Sequence, residues 1–112
     1  MKNLLLILLT SVAIFSACTS EPPSVRVLNR RTNKANVQIK SANGNTINFN
    51  NVETNQTTSY QEISEGYQQA TAVIQNESFS PYIFFTTIKG RKYTIVVLDG
   101  EKPTLRVDDD GN

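Results

Sequence analysis

From Ser24 onward apolar side chains recur at every second position in short runs, and no stretch carries the helical spacing of three or four residues. Val25-Arg26-Val27 alternates, and so does Val37-Gln38-Ile39-Lys40. Asn43-Gly44 follows, a pair that predicts a two-residue type I′ hairpin turn, with Ile47 and Phe49 alternating on the return strand. Thr58 to Ile63, Tyr67 to Gln75 and Tyr82 to Ile88 are rich in β-branched and aromatic residues, and glycine turns lie at Gly44, Gly66, Gly90 and Gly100. Lys92 to Leu98 is apolar on both faces, as in a strand at the centre of a packed sheet, and Leu105 and Val107 close the pattern. Seven or eight short strands at this spacing predict an all-β fold, a small immunoglobulin-like β-sandwich over residues 25–112, with a small barrel as the alternative. The expected core comprises Phe49, Ile74, Phe85, Tyr93, Ile95, Val97 and Leu105.

The first residues read differently. Lys2 is followed by Leu4 to Phe15, an apolar run broken only by Thr10 and Ser11, and then by small residues. That is the pattern of a secretory signal peptide over residues 1–17, too short for a transmembrane helix, which needs roughly 20 apolar residues. Phe15-Ser16-Ala17-Cys18 resembles the lipobox of bacterial lipoproteins, with Phe15 where Leu is usual. The resemblance implies that Phe15, Ser16 and Ala17 are read by the signal peptidase. It further implies that Cys18 carries diacylglycerol and becomes the first residue of the mature chain, anchored in a membrane. Several acyl chains at about 0.8 kcal/mol per buried methylene hold a protein firmly, whereas one chain binds reversibly. Thr19 rather than Asp follows the cysteine, which by the same resemblance favours the outer membrane of a bacterial envelope. Residues 18–24, with Pro22 and Pro23, read as a short stiff tether.

Composition narrows the function classes. The 112 residues carry 11 Lys+Arg and 10 Asp+Glu, a balance that lacks the basic footprint of a nucleic-acid binder. There is no His and one Cys, so neither a disulfide framework nor the usual zinc sites are expected, and no cofactor is implied. Without His or a Gly-rich phosphate loop, the one carboxylate pair near a turn, Glu62 and Glu65, reads as surface, and the chain is not expected to be an enzyme. Asp108-Asp109-Asp110-Gly111-Asn112 lacks the ligand spacing of an EF-hand and reads as a solvated acidic tail.

The order of the motifs carries a second resemblance. Val25-Arg26-Val27-Leu28-Asn29, Val37-Gln38-Ile39, Val52, Ser59-Tyr60, Ile63-Ser64-Glu65-Gly66 and Lys89-Gly90-Arg91-Lys92-Tyr93-Thr94-Ile95-Val96-Val97 stand in sequence. This resembles domain-of-unknown-function family forty-three ninety-seven, found in secreted and lipid-anchored bacterial proteins. The resemblance spans about Val25 to Asp108 and implies an immunoglobulin-like domain; the family has no agreed catalytic residues, so none is carried over. The chain departs from it at Asn29 to Ala35, where Arg30, Arg31 and Lys34 replace a loop of small and acidic residues.

Candidate binding residues form three groups. Arg30, Arg31 and Lys34 make one basic loop, and Lys89, Arg91 and Lys92 make another; together at one end of the sandwich they would suit an acidic glycan or a lipid headgroup. Phe79 and Tyr82, flanking Ser80-Pro81, read as displayed aromatics, while most of the other rings are expected in the core. Amides are abundant from Asn43 to Gln56 and at Gln68, Gln69 and Gln75, where they suit either a polar ligand or plain solubility. The expectation is a non-catalytic binding or adhesion module with a glycan or protein ligand. The alternative is a periplasm-facing structural accessory of an envelope complex.

Overall fold

The computed structural model describes residues 21–112. The expected signal peptide, with Phe15, Ser16 and Ala17, and the expected lipidation site Cys18 lie outside the described residues. Eight strands follow one another: β1 (Ser24–Asn29), β2 (Ala35–Ser41), β3 (Thr46–Val52), β4 (Gln61–Glu62), β5 (Gly66–Ile74), β6 (Tyr82–Thr87), β7 (Lys92–Leu98) and β8 (Thr104–Gly111). They form two four-stranded sheets, ordered β4-β1-β7-β8 and β3-β2-β5-β6, packed as a β-sandwich. The fold is an all-β sandwich, with consecutive strands β2 and β3 paired in one sheet.

Alternation builds the layers. In β2 every odd-numbered residue from Ala35 to Ser41 is buried and every even one exposed, the period-2 pattern of a strand with one wet face. β5 does the same, burying Gln68, Ala70, Ala72 and Ile74. Only β7 is buried at five successive positions, Tyr93 to Val97. It lies between β1 and β8, as the two-sided apolar run predicted. Its inner residues Tyr93, Ile95 and Val97 meet Val25 and Val27 of β1 and Val37, Ile39 and Ile74 from the facing sheet in one core. Phe49 is in that core as expected, whereas Phe85 and Leu105 are only partly buried at its margin, because β6 and β8 are edge strands.

β1 runs parallel to β7, in register from Ser24 opposite Lys92 to Asn29 opposite Val97; every other pairing is antiparallel. The two ends of the sandwich are thereby defined. The proximal end, where the described chain begins, holds the β2–β3 connection and the β6–β7 turn, and the distal end holds the β1–β2, β5–β6 and β7–β8 connections.

Three local expectations are corrected. The β2–β3 connection spans four residues rather than two, and Asn43 keeps a negative φ. Gly44 alone is left-handed (φ +93°), the Gly44 N–H closes on the Ser41 carbonyl at 2.9 Å, and the Asn43 Oδ1 accepts from the Asn45 N–H. The side chain thus supplies the bond that a second left-handed residue would otherwise have made available. The Thr58–Ile63 run yields only the two-residue β4, because its pairing along the edge of β1 is interrupted: Thr57 bridges Leu28 and the Thr58 N–H donates to the Val27 carbonyl, but the Val27 N–H is taken by the Thr58 Oγ1 instead of a backbone carbonyl. The acidic stretch is no free tail. Asp108 to Gly111 belongs to β8 and pairs with β7.

Ile39 and Ile95 are wholly buried, whereas Ile88 is half exposed in a turn. Truncation of either buried residue to Ala is expected to cost about 2–5 kcal/mol and Ile88→Ala less than about 0.5, as read by urea denaturation.

Candidate functional site

The basic loops do not converge. Because β1 and β7 are parallel, the loop carrying Arg30, Arg31 and Lys34 follows the end of β1, while Lys89, Arg91 and Lys92 precede the start of β7. A strand of this length at about 3.3 Å per residue puts them roughly 20 Å apart, at opposite ends. Most of these cations are also occupied. The Arg31 guanidinium is buried and donates to both carboxylate oxygens of Glu77, at 2.6 and 2.7 Å, and to the Leu98 carbonyl at 2.9 Å. Its backbone N–H donates to the Asn29 Oδ1, and the Asn29 amide donates to the Asn33 and Val52 carbonyls. Arg31 is therefore a brace joining three distal connections rather than a ligand group, a role hidden in the sequence because Glu77 lies 46 positions away. Lys34 pairs with Glu53 and Arg91 with Asp109, both in solvent, and Lys92 lies 5.2 Å from the centre of the Tyr60 ring.

The outer face of the β4-β1-β7-β8 sheet is internally neutralised in the same way. Tyr60 stands over the Arg26 guanidinium at 4.6 Å and donates its hydroxyl to Asp110, which also accepts from Thr94; Arg106 pairs with Asp108. Burial, and then the hydrogen bond that the phenol donates to the Asp110 carboxylate, hold Tyr60 above the ordinary tyrosine range.

The outer face of the other sheet has the opposite character. Tyr67 of β5 and Tyr82 and Phe84 of β6 are between 48% and 60% exposed. The Tyr67 and Phe84 rings stack, centroids 5.4 Å apart and planes 4° from parallel, and Tyr82 meets Phe84 edge-on at 5.8 Å. The expectation that most of the rings lie in the core fails for Tyr67 and Phe84. The alternation of β5 and β6 overrules that, since Ala70, Ala72, Ile83 and Phe85 take the inward positions. Polar residues continue the face in rows across the strands. Phe84 stands opposite Gln69, Gln69 opposite Lys40, and Lys40 opposite Thr46. In the next row Tyr82 stands opposite Thr71, Thr71 opposite Gln38, and Gln38 opposite Asn48. Two hollows of about 280 and 260 Å³ lie beside the rings and amides of this face, one by Tyr67, Phe84 and Gln69, the other between Gln38, Asn48, Asn50 and Thr71, and a third of about 300 Å³ lies at its distal margin by Lys34, Asn36 and Val73.

Of the candidate aromatics, Phe79 and Tyr82 are exposed as expected, and with Pro81, Pro103 and Leu105 they border a distal hollow of about 260 Å³. Gln68 departs from expectation. It is buried at the proximal end, where its amide donates to the Ser64 carbonyl at 2.8 Å and the Thr87 Oγ1 at 3.1 Å and accepts from Ser41. Glu62 and Glu65 lie exposed at the same end, with Glu65 accepting from the Lys89 N–H. Among the described residues no group of three or more Cys, Asp or Glu is placed to hold a metal ion, and no helix is long and apolar enough to cross a membrane.

Glu77→Ala leaves the Arg31 guanidinium buried against one carbonyl. It is expected to destabilise the domain by about 3 kcal/mol, measured by denaturation, while Lys34→Ala stays within about 0.5 kcal/mol. No protein-family model matches the chain, and no curated protein matches it.

Proposed function

We propose that this chain is a lipid-anchored protein of a bacterial cell envelope, in the outer membrane, and that its sandwich is a non-catalytic binding module. The observation that carries the reading is the contiguous cluster of Tyr67, Phe84 and Tyr82 on the outer face of the β3-β2-β5-β6 sheet. Scattered exposed apolar residues are ordinary, but a cluster of stacked rings held in water is a contact surface. Kinship with domain-of-unknown-function family forty-three ninety-seven belongs to the proposal and rests on the order of its motifs along the chain.

The anchor orients the module. Gly90 N–H donates to the Glu21 carbonyl at 2.7 Å and Ile63 N–H to the Pro23 carbonyl at 2.9 Å, so among the described residues the chain is already hydrogen-bonded to the domain at Glu21. A lipidated Cys18 is three residues from that point, and a chain segment of that length spans at most about 10 Å. The proximal end therefore sits against the membrane, and the distal hollow bordered by Phe79 and Tyr82 faces away from it.

A structural accessory of an envelope complex is the second reading, favoured by the edge of β6. Strand β4 is two residues long, β3 carries a bulge with Asn51 left-handed, and β8 bears Arg106 and three aspartates. Each device discourages pairing with another strand, whereas Tyr82 to Thr87 has no charge, no proline and no bulge.

Protease treatment of intact cells separates the two. Digestion of the domain on intact cells is expected, and protection until lysis would favour the accessory reading. In a sedimentation assay with the insoluble envelope fraction, the detergent-solubilised full chain is expected to bind, and Tyr67→Ala with Phe84→Ala to weaken binding at least tenfold. Unchanged binding by that double variant would remove the outer face from the proposal.

A further inference from the structure

Resting on the reading of this face as a contact surface, we infer that its ligand is a neutral saccharide chain laid across β6, β5 and β2. Charge excludes several other partners. Lys40 is the single charged side chain in the two rows running from Phe84 and Tyr82 to Thr46 and Asn48, so a polyanion has no row of cations to bind. A cationic partner lacks carboxylates there for the same reason. What the face offers is stacked rings at one side and, one to three strands away, Gln69, Thr71, Gln38 and Asn48.

That juxtaposition matches the chemistry of a sugar. A saccharide ring presents a face of C–H groups, which packs against an aromatic ring, and a rim of hydroxyls that both donate and accept. Carboxamides and hydroxyls do the same without charge. Strands about 4.8 Å apart place the amide positions of β5 and β2 roughly 5 and 10 Å from β6, a span suited to an extended chain of rings rather than to one sugar. The rings are also held before binding. Tyr67 and Phe84 stack on each other and Tyr82 braces Phe84 edge-on, so little rotamer freedom remains to be lost. Both hollows on this face are shallow and continuous with solvent, in keeping with a ligand bound along its side.

The test uses the full chain in detergent against two sets of probes. The first is a panel of neutral hexasaccharides (cello-, xylo-, malto- and manno-) with a sulfated and a uronic-acid oligosaccharide for comparison, read by isothermal titration calorimetry. At least one neutral probe is expected to bind. Phe84→Ala and Tyr67→Ala are each expected to weaken it at least tenfold and Gln38→Ala about threefold, while Phe84→Tyr retains it. The second is the insoluble envelope fraction, treated beforehand with periodate, which cleaves vicinal diols, or with protease. Loss of binding after periodate but not after protease supports the inference. Loss after protease alone, still dependent on Tyr67 and Phe84, overturns the saccharide while leaving the contact surface standing. Binding confined to the charged oligosaccharides overturns it as well. Failure to bind every probe and the untreated envelope overturns both this inference and the reading beneath it. All the substituted side chains are exposed, so thermal unfolding of each variant is expected to match the parent and to exclude misfolding as the cause.

Discussion

The pairing on which the rest of the structure depends is the parallel ladder between β1 and β7. It joins the first strand to the seventh, in register over six residues, and so fixes the centre of one sheet only after the whole of the other has been laid down between them. Val25 and Val27 from one strand and Tyr93, Ile95 and Val97 from the other form one side of the core. An antiparallel pairing at this place would have brought the loop after β1 beside the turn before β7. The parallel one sends them to opposite ends, and a basic patch that the composition allows is never assembled. The same pairing seats Glu21 and Pro23 against the β6–β7 turn and β4, so the chain joins the sandwich at a fixed point.

Charge is then distributed unevenly by how each surface is closed. At the distal end Arg31 donates both arms of its fork to Glu77 and a third bond to Leu98, so three connections share one buried ion pair. Such a pair adds little net stability over an apolar contact, but once one partner is present the other becomes indispensable. On the outer face of the β4-β1-β7-β8 sheet, Arg26, Lys92, Asp110 and Tyr60 satisfy one another. That surface offers a ligand few unengaged groups. The outer face of the opposite sheet has stacked rings and amides that make no comparable closure, so that face presents both an apolar contact and uncommitted hydrogen-bonding groups.

Polar residues inside the sandwich follow the same logic. Gln68 occupies an inward position of β5, between Ser41, Ser64 and Thr87, and no buried side-chain nitrogen or oxygen among the described residues is left without a partner. A buried amide is tolerable only when its donors and acceptor are all met, and here two strands and the β4–β5 connection converge to meet them.

The alternation of Val37, Ile39, Phe49 and Ile95 and the two-sided apolar run of β7 determined the strands, their inward faces and the all-β class, because a period of two is a local property that the pleat of a strand converts directly into burial. The same alternation, followed strictly, already placed Tyr82 and Phe84 on one face and Ile83 and Phe85 on the other. The expectation that most rings fill a core without tryptophan fails at Phe84 and Tyr67 for that reason. Which strands would be neighbours is not a local property. The partnership of Arg31 with Glu77, the separation of the two basic loops, the burial of Gln68 and the rows joining Tyr82 and Phe84 to the amides of β5, β2 and β3 all depend on pairings between distant segments. Tertiary structure alone decided them, because hydrogen bonds between strands are made by backbone groups that every residue but proline carries alike.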